Sequence, residues 1–405
     1  MRQTLRFLLA AATCASLLFA AGAAQAQGTR CHGGASFERW LEAFKQEAVS
    51  HGISRNTLAE AEPYLTFDRG IVSKDRGQGV FQQSFLEFAG RMVGSRMSAG
   101  AAKVKQQASL LARVEREFGV PGVVVAAFWG LETDFGANNG NLPVLRSLVT
   151  LAYDCRRPDM FREELLYALR VIERGDMAPD AMVGAWAGEI GQTQFSPSSY
   201  FKYAVDFDRD GRRDLIRSVP DVLASSANLL AKNGWKRGEP WLEEVRVPAE
   251  LPWQEADLAI KHPRSQWAKW GVTMASGREL PADAKAASLL LPMGRLGPAF
   301  LAYENFSAFL SWNESMVYST TAAYYATRLA GAPAVQRGRA PPPTLSAEQI
   351  SELQRLLARH GYDPGKVDGK LGGMTRKAVK QAQIKFRMPA DSYPTTELLD
   401  RLRAG

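Results

Sequence analysis

One carboxylate stands at the end of a strongly apolar run in Phe128-Trp129-Gly130-Leu131-Glu132-Thr133-Asp134-Phe135-Gly136, preceded by Val123-Val124-Val125-Ala126-Ala127. Wound as a helix, this stretch sets Val125, Phe128 and Glu132 on one face at i, i+3, i+7 spacing. A carboxyl among buried apolar neighbours loses hydration, which disfavours its charged form and raises its pKa. A carboxylic acid that keeps its proton near neutral pH can protonate a leaving-group oxygen, as glycoside cleavage requires. The competing reading is a Glu that ends a core helix and pairs with an Arg. Asp134 follows two residues on. Residues i and i+2 of a helix point apart, so Asp134 is expected to be structural or solvent-facing.

A second cluster has ligand chemistry. Asp206-Phe-Asp208-Arg-Asp210-Gly211-Arg212-Arg-Asp214 places oxygens at positions 1, 3, 5 and 9 of an EF-hand-like loop, with Gly at position 6. Its twelfth position is Arg217 rather than a bidentate Glu. Asp206, Asp208, Asp210, Arg212 and Asp214 are therefore candidate holders of a structural Ca2+ or Na+ ion. The alternative is an Asx-turn loop whose carboxylates pair with Arg209, Arg212 and Arg213.

The chain that must position these groups has 405 residues, 46% hydrophobic and 23% charged, a globular composition long enough for two domains. Residues 1–26 read as a secretory signal: Arg2 and Arg6, an apolar run from Phe7 to Ala24, and a small-x-small site at Ala24-Gln25-Ala26. A retained membrane anchor is the competing reading, and the short, Ala-rich run disfavours it. The formal net charge of +8 becomes +6 once Arg2 and Arg6 are removed. A basic exported protein suits an anionic partner such as a bacterial wall. No compact Lys/Arg stripe with interleaved aromatics is present, which argues against nucleic acid. Cys14 leaves with the signal, and Cys31 and Cys155 are expected to form a disulfide in an oxidising compartment, with two buried free thiols as the alternative.

The pattern from Ser36 to Gly331 is mostly helical. Ser36 is a candidate N-cap ahead of Phe37, Trp40, Leu41 and Phe44, and Leu110, Leu111, Val114 and Phe118 repeat the spacing before Gly119. Glu163–Glu173 and Pro220–Gly234 read as helices. Val245–Val247 and Ser288–Leu291 suggest a small strand-containing insertion, and helix is expected again from Pro298 to Leu329. Residues 331–343 read as a semi-extended Pro/Gly linker. Beyond it, 344–405 starts with a capping box at Ser346-x-x-Gln349 and contains three short helices.

Four ordered segments resemble the membrane-bound lytic transglycosylase B family of peptidoglycan-cleaving enzymes, glycoside hydrolase family 103. They are Trp129–Gly136 with Pro143–Ala152, Tyr153–Arg157, Trp186–Asp206 (Trp-Ala-Gly-Glu-Ile-Gly-Gln-Thr-Gln-Phe-Ser-Pro onward) and Ser311–Tyr318. The resemblance implies a mainly α, lysozyme-like catalytic domain over 34–330. It implies cleavage of the β-1,4 bond between N-acetylmuramic acid and N-acetylglucosamine without water. Glu132 would be the single general acid and base, no cofactor would be required, and the product would be a 1,6-anhydro sugar. Gln194 matches a substrate-contacting glutamine, Asn313 and Tyr318 match cleft positions, and Trp186 and Trp312 are aromatic candidates for the sugar. Arg156 and Arg157 match a basic pair near peptide or sugar carboxylates. Ala185 stands where relatives often have Ser. Glu189 stands where they are often apolar, and is expected to be exposed or ion-paired.

The C-terminal segment, with Asp368-Gly369, Gly372 and Thr375, resembles the three-helix peptidoglycan-binding domain. Its Ala382-Gln383 and Ala390-Asp391-Ser392 depart from the usual pattern. Asp368 and Thr375 are expected to serve turns and caps, and the module to act by tethering. The expected location is the periplasm and the expected partner peptidoglycan, with no membrane anchor after signal cleavage. Wall-synthesis or division partners are not named by the residues. A lysozyme-type hydrolase and a non-catalytic wall-binding scaffold are the competing functions.

Overall fold

The computed structural model describes residues 32–77, 83–340 and 343–405. The signal segment and Cys31 lie outside the described residues. No helix among the described residues is long and apolar enough to cross a membrane.

Seventeen α-helices and seven short strands make up the described chain. Helix Phe37–Ser50 begins where its N-cap demands, Ser36 accepting from the Arg39 N–H. Helix Ala108–Phe118 ends on Gly119 in the left-handed region (φ 78°). Helix Val219–Lys232 takes Pro220 in its first turn, where a missing N–H costs nothing. The main core packs these helices around Gly122–Thr133, in which ten of twelve residues are buried. Because this helix is apolar on every side, it can only be central.

The insertion is a five-stranded antiparallel sheet in the order His262–Pro263, Ala286–Leu290, Ala299–Ala302, Leu242–Arg246, Thr273–Met274. It has its own core around Trp253, Trp267 and Leu301. The helix expected from Pro298 is thus corrected: Ala299–Ala302 is the central strand, and helices Phe306–Trp312 and Met316–Leu329 follow it. All four strand residues are buried. A fully buried strand lacks the alternation that marks a half-buried one, so four apolar residues beside helices read as helix.

The C-terminal module has helices Ala347–Arg359, Gly373–Lys385 and Thr396–Ala404 around Leu353, Leu357, Val379 and Leu398. Buried Gln354 ties it together, donating to the Asp368 carboxylate, the Lys370 carbonyl and the Thr375 hydroxyl, and accepting from the Asp368 and Gly369 N–H groups. The module is docked, which a flexible tether would not require. Asp391 accepts from the Arg295 N–H (2.9 Å), Arg376 donates to the Pro292 carbonyl (2.9 Å), and Lys380 pairs with Asp257 (2.9 Å). Gln383 holds the docking loop in shape by donating to Asp391 and to the Tyr393 carbonyl. Part of the segment 331–343 also lies on the larger domain, with the Arg339 N–H on the Leu296 carbonyl and the Gln336 N–H on Glu244.

Candidate active site

Helix Gly122–Thr133 delivers Glu132 as its second-last residue, and the helix must stop there. Asp134, Phe135 and Gly136 all have positive φ (52°, 61° and 87°). The Asp134 and Phe135 N–H groups close the end on the Gly130 and Trp129 carbonyls. A side chain at residue 136 would put its Cβ 2.4 Å from the Gln192 Oε1, so only glycine fits. Gln192 is buried and ties the helix to the neighbouring loop. It accepts from the Trp129 indole (2.8 Å), donates to the Ile216 carbonyl (2.9 Å), and its own carbonyl accepts from Thr133 (2.5 Å).

Loop 184–196 forms the facing wall. It is a tight turn, with Ala185 N–H on the Glu189 carbonyl and Ile190 paired with Phe195. Gly188 (φ 92°) lies against Leu148, with no room for a Cβ. Gln194 takes φ 50°, unusual for a non-glycine residue, and its amide donates to the Gly191 and Asn139 carbonyls. This leaves its side-chain oxygen free to accept.

The third wall comes from far along the chain. Trp312 and Asn313 end one helix, and Ser315 caps the next by accepting from Tyr318 N–H. The Trp312 indole donates to Glu132 Oε1 at 3.0 Å, and the Tyr318 hydroxyl donates to the same oxygen. Trp312 is stacked on Phe128 (centroids 4.1 Å apart), so its ring serves the core as well as the cleft. Glu132, Trp186, Glu189, Gln194, Trp312 and Asn313 share a cavity of about 450 Å3.

Burial pushes the Glu132 carboxyl from 4.5 up to about 7. The Tyr318 and Trp312 hydrogen bonds, which favour the anion, offset this in part, and the nearby Glu189 adds to the rise. The acid is thus poised to give and regain a proton near neutrality. Burial and the Glu132 charge hold Tyr318 well above its ordinary value, so it remains an O–H donor.

Arg156 and Arg157 stand elsewhere. Both guanidiniums bond Asp75 Oδ1 at 2.5 Å, and neither lines the cavity. Asp75 is buried, which opposes its charge, but the two cations outweigh burial and hold its carboxyl below the usual range. Glu189 corrects the expectation of exposure or ion pairing. It is half-buried in the cavity wall, its Oε2 has no hydrogen-bond partner, and burial raises its pKa. Two N–H groups, its own and that of Ala187, and the Arg157 charge act against that rise. Asp134 is turned from the cavity and pairs with Arg96 Nε at 2.7 Å. Gln192 and Asp75 were missed from sequence. Gln192 lies inside the quoted Gly191-Gln-Thr-Gln194 motif, whereas nothing local marks Asp75.

In the acidic loop, Asp206, Asp208 and Asp210 bring carboxylate oxygens within 4.8 Å of one another, an arrangement that fits a hard cation. Asp214 does not join this group, its Oδ1 accepting from the Ile216 and Arg217 N–H groups at 2.9 Å.

The chain matches the family model described as the transglycosylase SLT domain over residues 36–327, and the model described as a putative peptidoglycan binding domain over 346–402. It is 31% identical over 215 residues to membrane-bound lytic murein transglycosylase B of Escherichia coli K12, covering 53% of this chain and 58% of that relative. The chain thus spans less than two thirds of that curated relative's length. SltB3 of Pseudomonas aeruginosa, solved in complex with NAG-anhNAM-pentapeptide, is similar at 42% identity and TM-score 0.85, over 91% of this chain and all of that one. The Escherichia coli lytic transglycosylase Slt35, solved in complex with calcium, is similar at 27% identity and TM-score 0.60, over 72% and 92% of the two chains. With its helical core, its cleft carboxyl and a family match over most of its length, the chain belongs to the transglycosylase SLT-domain family.

Proposed function

We propose that the protein is an exported lytic transglycosylase. It cuts the β-1,4 bond between N-acetylmuramic acid and N-acetylglucosamine in peptidoglycan, with Glu132 as its general acid and base. The observation that carries this reading is the Glu132 carboxyl held near pKa 7 in a cavity, under two donors on one oxygen. Its volume of about 450 Å3 suits a small-ligand site. Glu132 gives its proton to the glycosidic oxygen as the bond to the muramoyl anomeric carbon breaks. The anomeric carbon is then attacked by the C6 hydroxyl of the same sugar, whose proton returns to Glu132. The product carries a 1,6-anhydro ring, and no water is consumed. A Pseudomonas neighbour's ligand, NAG-anhNAM-pentapeptide, has such a ring.

In this reading Gln194 and Asn313 hold the sugars, Trp186 covers them, and Trp312 and Tyr318 orient the acid. Asp75 holds Arg156 and Arg157 in place, and the Arg157 charge bears on Glu189. Mass spectrometry of muropeptides released from sacculi tests the reading, with Glu132→Gln run beside wild type. Anhydromuropeptides from wild type alone support it. Reducing-end products would make the protein a hydrolase, and sacculus binding without products would make it a scaffold.

The leader over 1–26 directs the chain to the periplasm, where Cys31 pairs with Cys155. What supports the pairing is that Cys14 falls inside the leader, which leaves Cys31 and Cys155 as an even pair in an oxidising compartment. Alkylation of both mature cysteines without prior reduction would refute it. Asp206, Asp208 and Asp210, with the Arg212 carbonyl, hold a structural calcium ion that takes no part in the chemistry. Added calcium is expected to raise the melting temperature and a chelator to lower it; no change with either means the site is not used.

A further inference from the structure

A second cavity, of about 510 Å3, lies in the C-terminal module and shares no residue with the Glu132 cavity. One side is the outer face of helix Gly373–Lys385, where Met374, Lys377 and Gln381 recur at i, i+3, i+7. The other is the loop Gly361-Tyr362-Asp363. Met374 is 52% exposed although it is large and apolar, and its sulfur rests over Gly365. One Asp363 oxygen accepts from the Gly365 N–H (3.0 Å), which fixes the carboxyl and leaves its second oxygen without a partner among the described residues. Neither Asp363 nor Lys377 makes an ion pair among the described residues. The module's core uses the opposite helix face, Thr375, Ala378, Val379 and Ala382, so packing does not account for the three outward residues Met374, Lys377 and Gln381.

We propose that this cavity binds the zwitterionic end of a diamino-acid side chain in a peptidoglycan stem peptide, its ammonium on Asp363 and its carboxylate on Lys377. The side chain's methylenes lie on Met374 and the Tyr362 ring. The ligand class follows from the charges. A neutral amino sugar would leave both Asp363 and Lys377 unpaired, and an anionic polymer would be repelled by Asp363. An ammonium and a carboxylate on one carbon, carried by an aliphatic chain, satisfy acid, base and thioether together. Exposed ion pairs are weak, so the affinity for one stem is about millimolar, and strength on a wall comes from many stems and from the attached catalytic domain. The proposal rests on reading the module as peptidoglycan-binding.

The test uses the full chain carrying Glu132→Gln, so that nothing is cut. Two probes are titrated: a stem tetrapeptide containing meso-diaminopimelate, and the same peptide with lysine in its place, which lacks the side-chain carboxylate. The diaminopimelate peptide is expected to bind about tenfold more tightly, a difference of about 1.4 kcal/mol. Lys377→Glu is expected to abolish that preference, and Asp363→Asn to weaken both peptides. Both residues are exposed, and circular dichroism checks that the variants fold. Equal binding of the two peptides to the Glu132→Gln chain, or unchanged binding by both cavity variants, overturns the proposal. If wild type instead releases no anhydromuropeptides, the activity reading fails while this titration still stands or falls by itself.

Discussion

The raised Glu132 pKa makes a demand on stability as well as on catalysis. An unfolded Glu titrates near 4.5 and the folded group near 7. Below pH 4.5 both states hold the proton and the group contributes no difference. Between 4.5 and 7 the unfolded chain ionises while the folded carboxyl does not, so stability falls as pH rises through this window and levels off above it. At about 1.36 kcal/mol per pH unit the loss is about 3 kcal/mol. The carboxyl faces an open cavity, so this figure is an upper bound. In Glu132→Gln the amide oxygen still accepts from Tyr318 and Trp312, but nothing titrates. The variant's stability relative to wild type should therefore rise by up to about 3 kcal/mol between pH 4.5 and pH 8. Denaturant unfolding of both proteins across this range measures it, because groups that do not interact with Glu132 cancel in the difference. The kcat/KM of wild type should fall above an alkaline limb near the same pH. A difference between the two proteins that stays flat within about 0.5 kcal/mol would refute a buried, protonated Glu132.

Tyr318→Phe removes a hydrogen bond that favours the Glu132 anion, so the alkaline limb should move to higher pH while the rate falls by about tenfold or more; an unmoved limb would mean that Tyr318 serves packing alone. Glu189→Gln removes a like charge, so the limb should move to lower pH, visible in kcat/KM profiles on soluble glycan chains. Asp391→Ala leaves the Arg295 and Tyr393 N–H groups without that acceptor and the Gln383 amide with the Tyr393 carbonyl alone, at a cost of about 1–3 kcal/mol. The C-terminal module should then loosen, which limited proteolysis of the 331–343 segment reads directly, and a cleavage pattern like that of wild type would show that the other contacts suffice.

Helix caps, periodicity and glycine stops were legible because they are local. Ser36, Gly119 and the Ser346 capping box each act on backbone groups within a few residues. Glu132 was legible because an apolar run with one carboxylate at its end implies a desolvated acid. The family resemblance supplied its distant partners, Trp312 and Tyr318, together with Gln194, which periodicity alone could not have paired with it. What no local pattern could hold is which groups meet. Asp75 claims Arg156 and Arg157 across 81 and 82 residues, and that decides where the two cations stand. The strand Ala299–Ala302 is a strand because neighbours on both sides complete its ladder, since its four residues carry no alternation of their own. Ala390-Asp391-Ser392, which departs from the usual pattern of the module, is the loop that docks it. Sequence determined the helices and the acid, because propensity and desolvation act along the chain. Tertiary structure decided the acid's partners, the fate of each charge and the seat of the second module, because hydrogen bonds and ion pairs are settled only between groups that folding brings into contact.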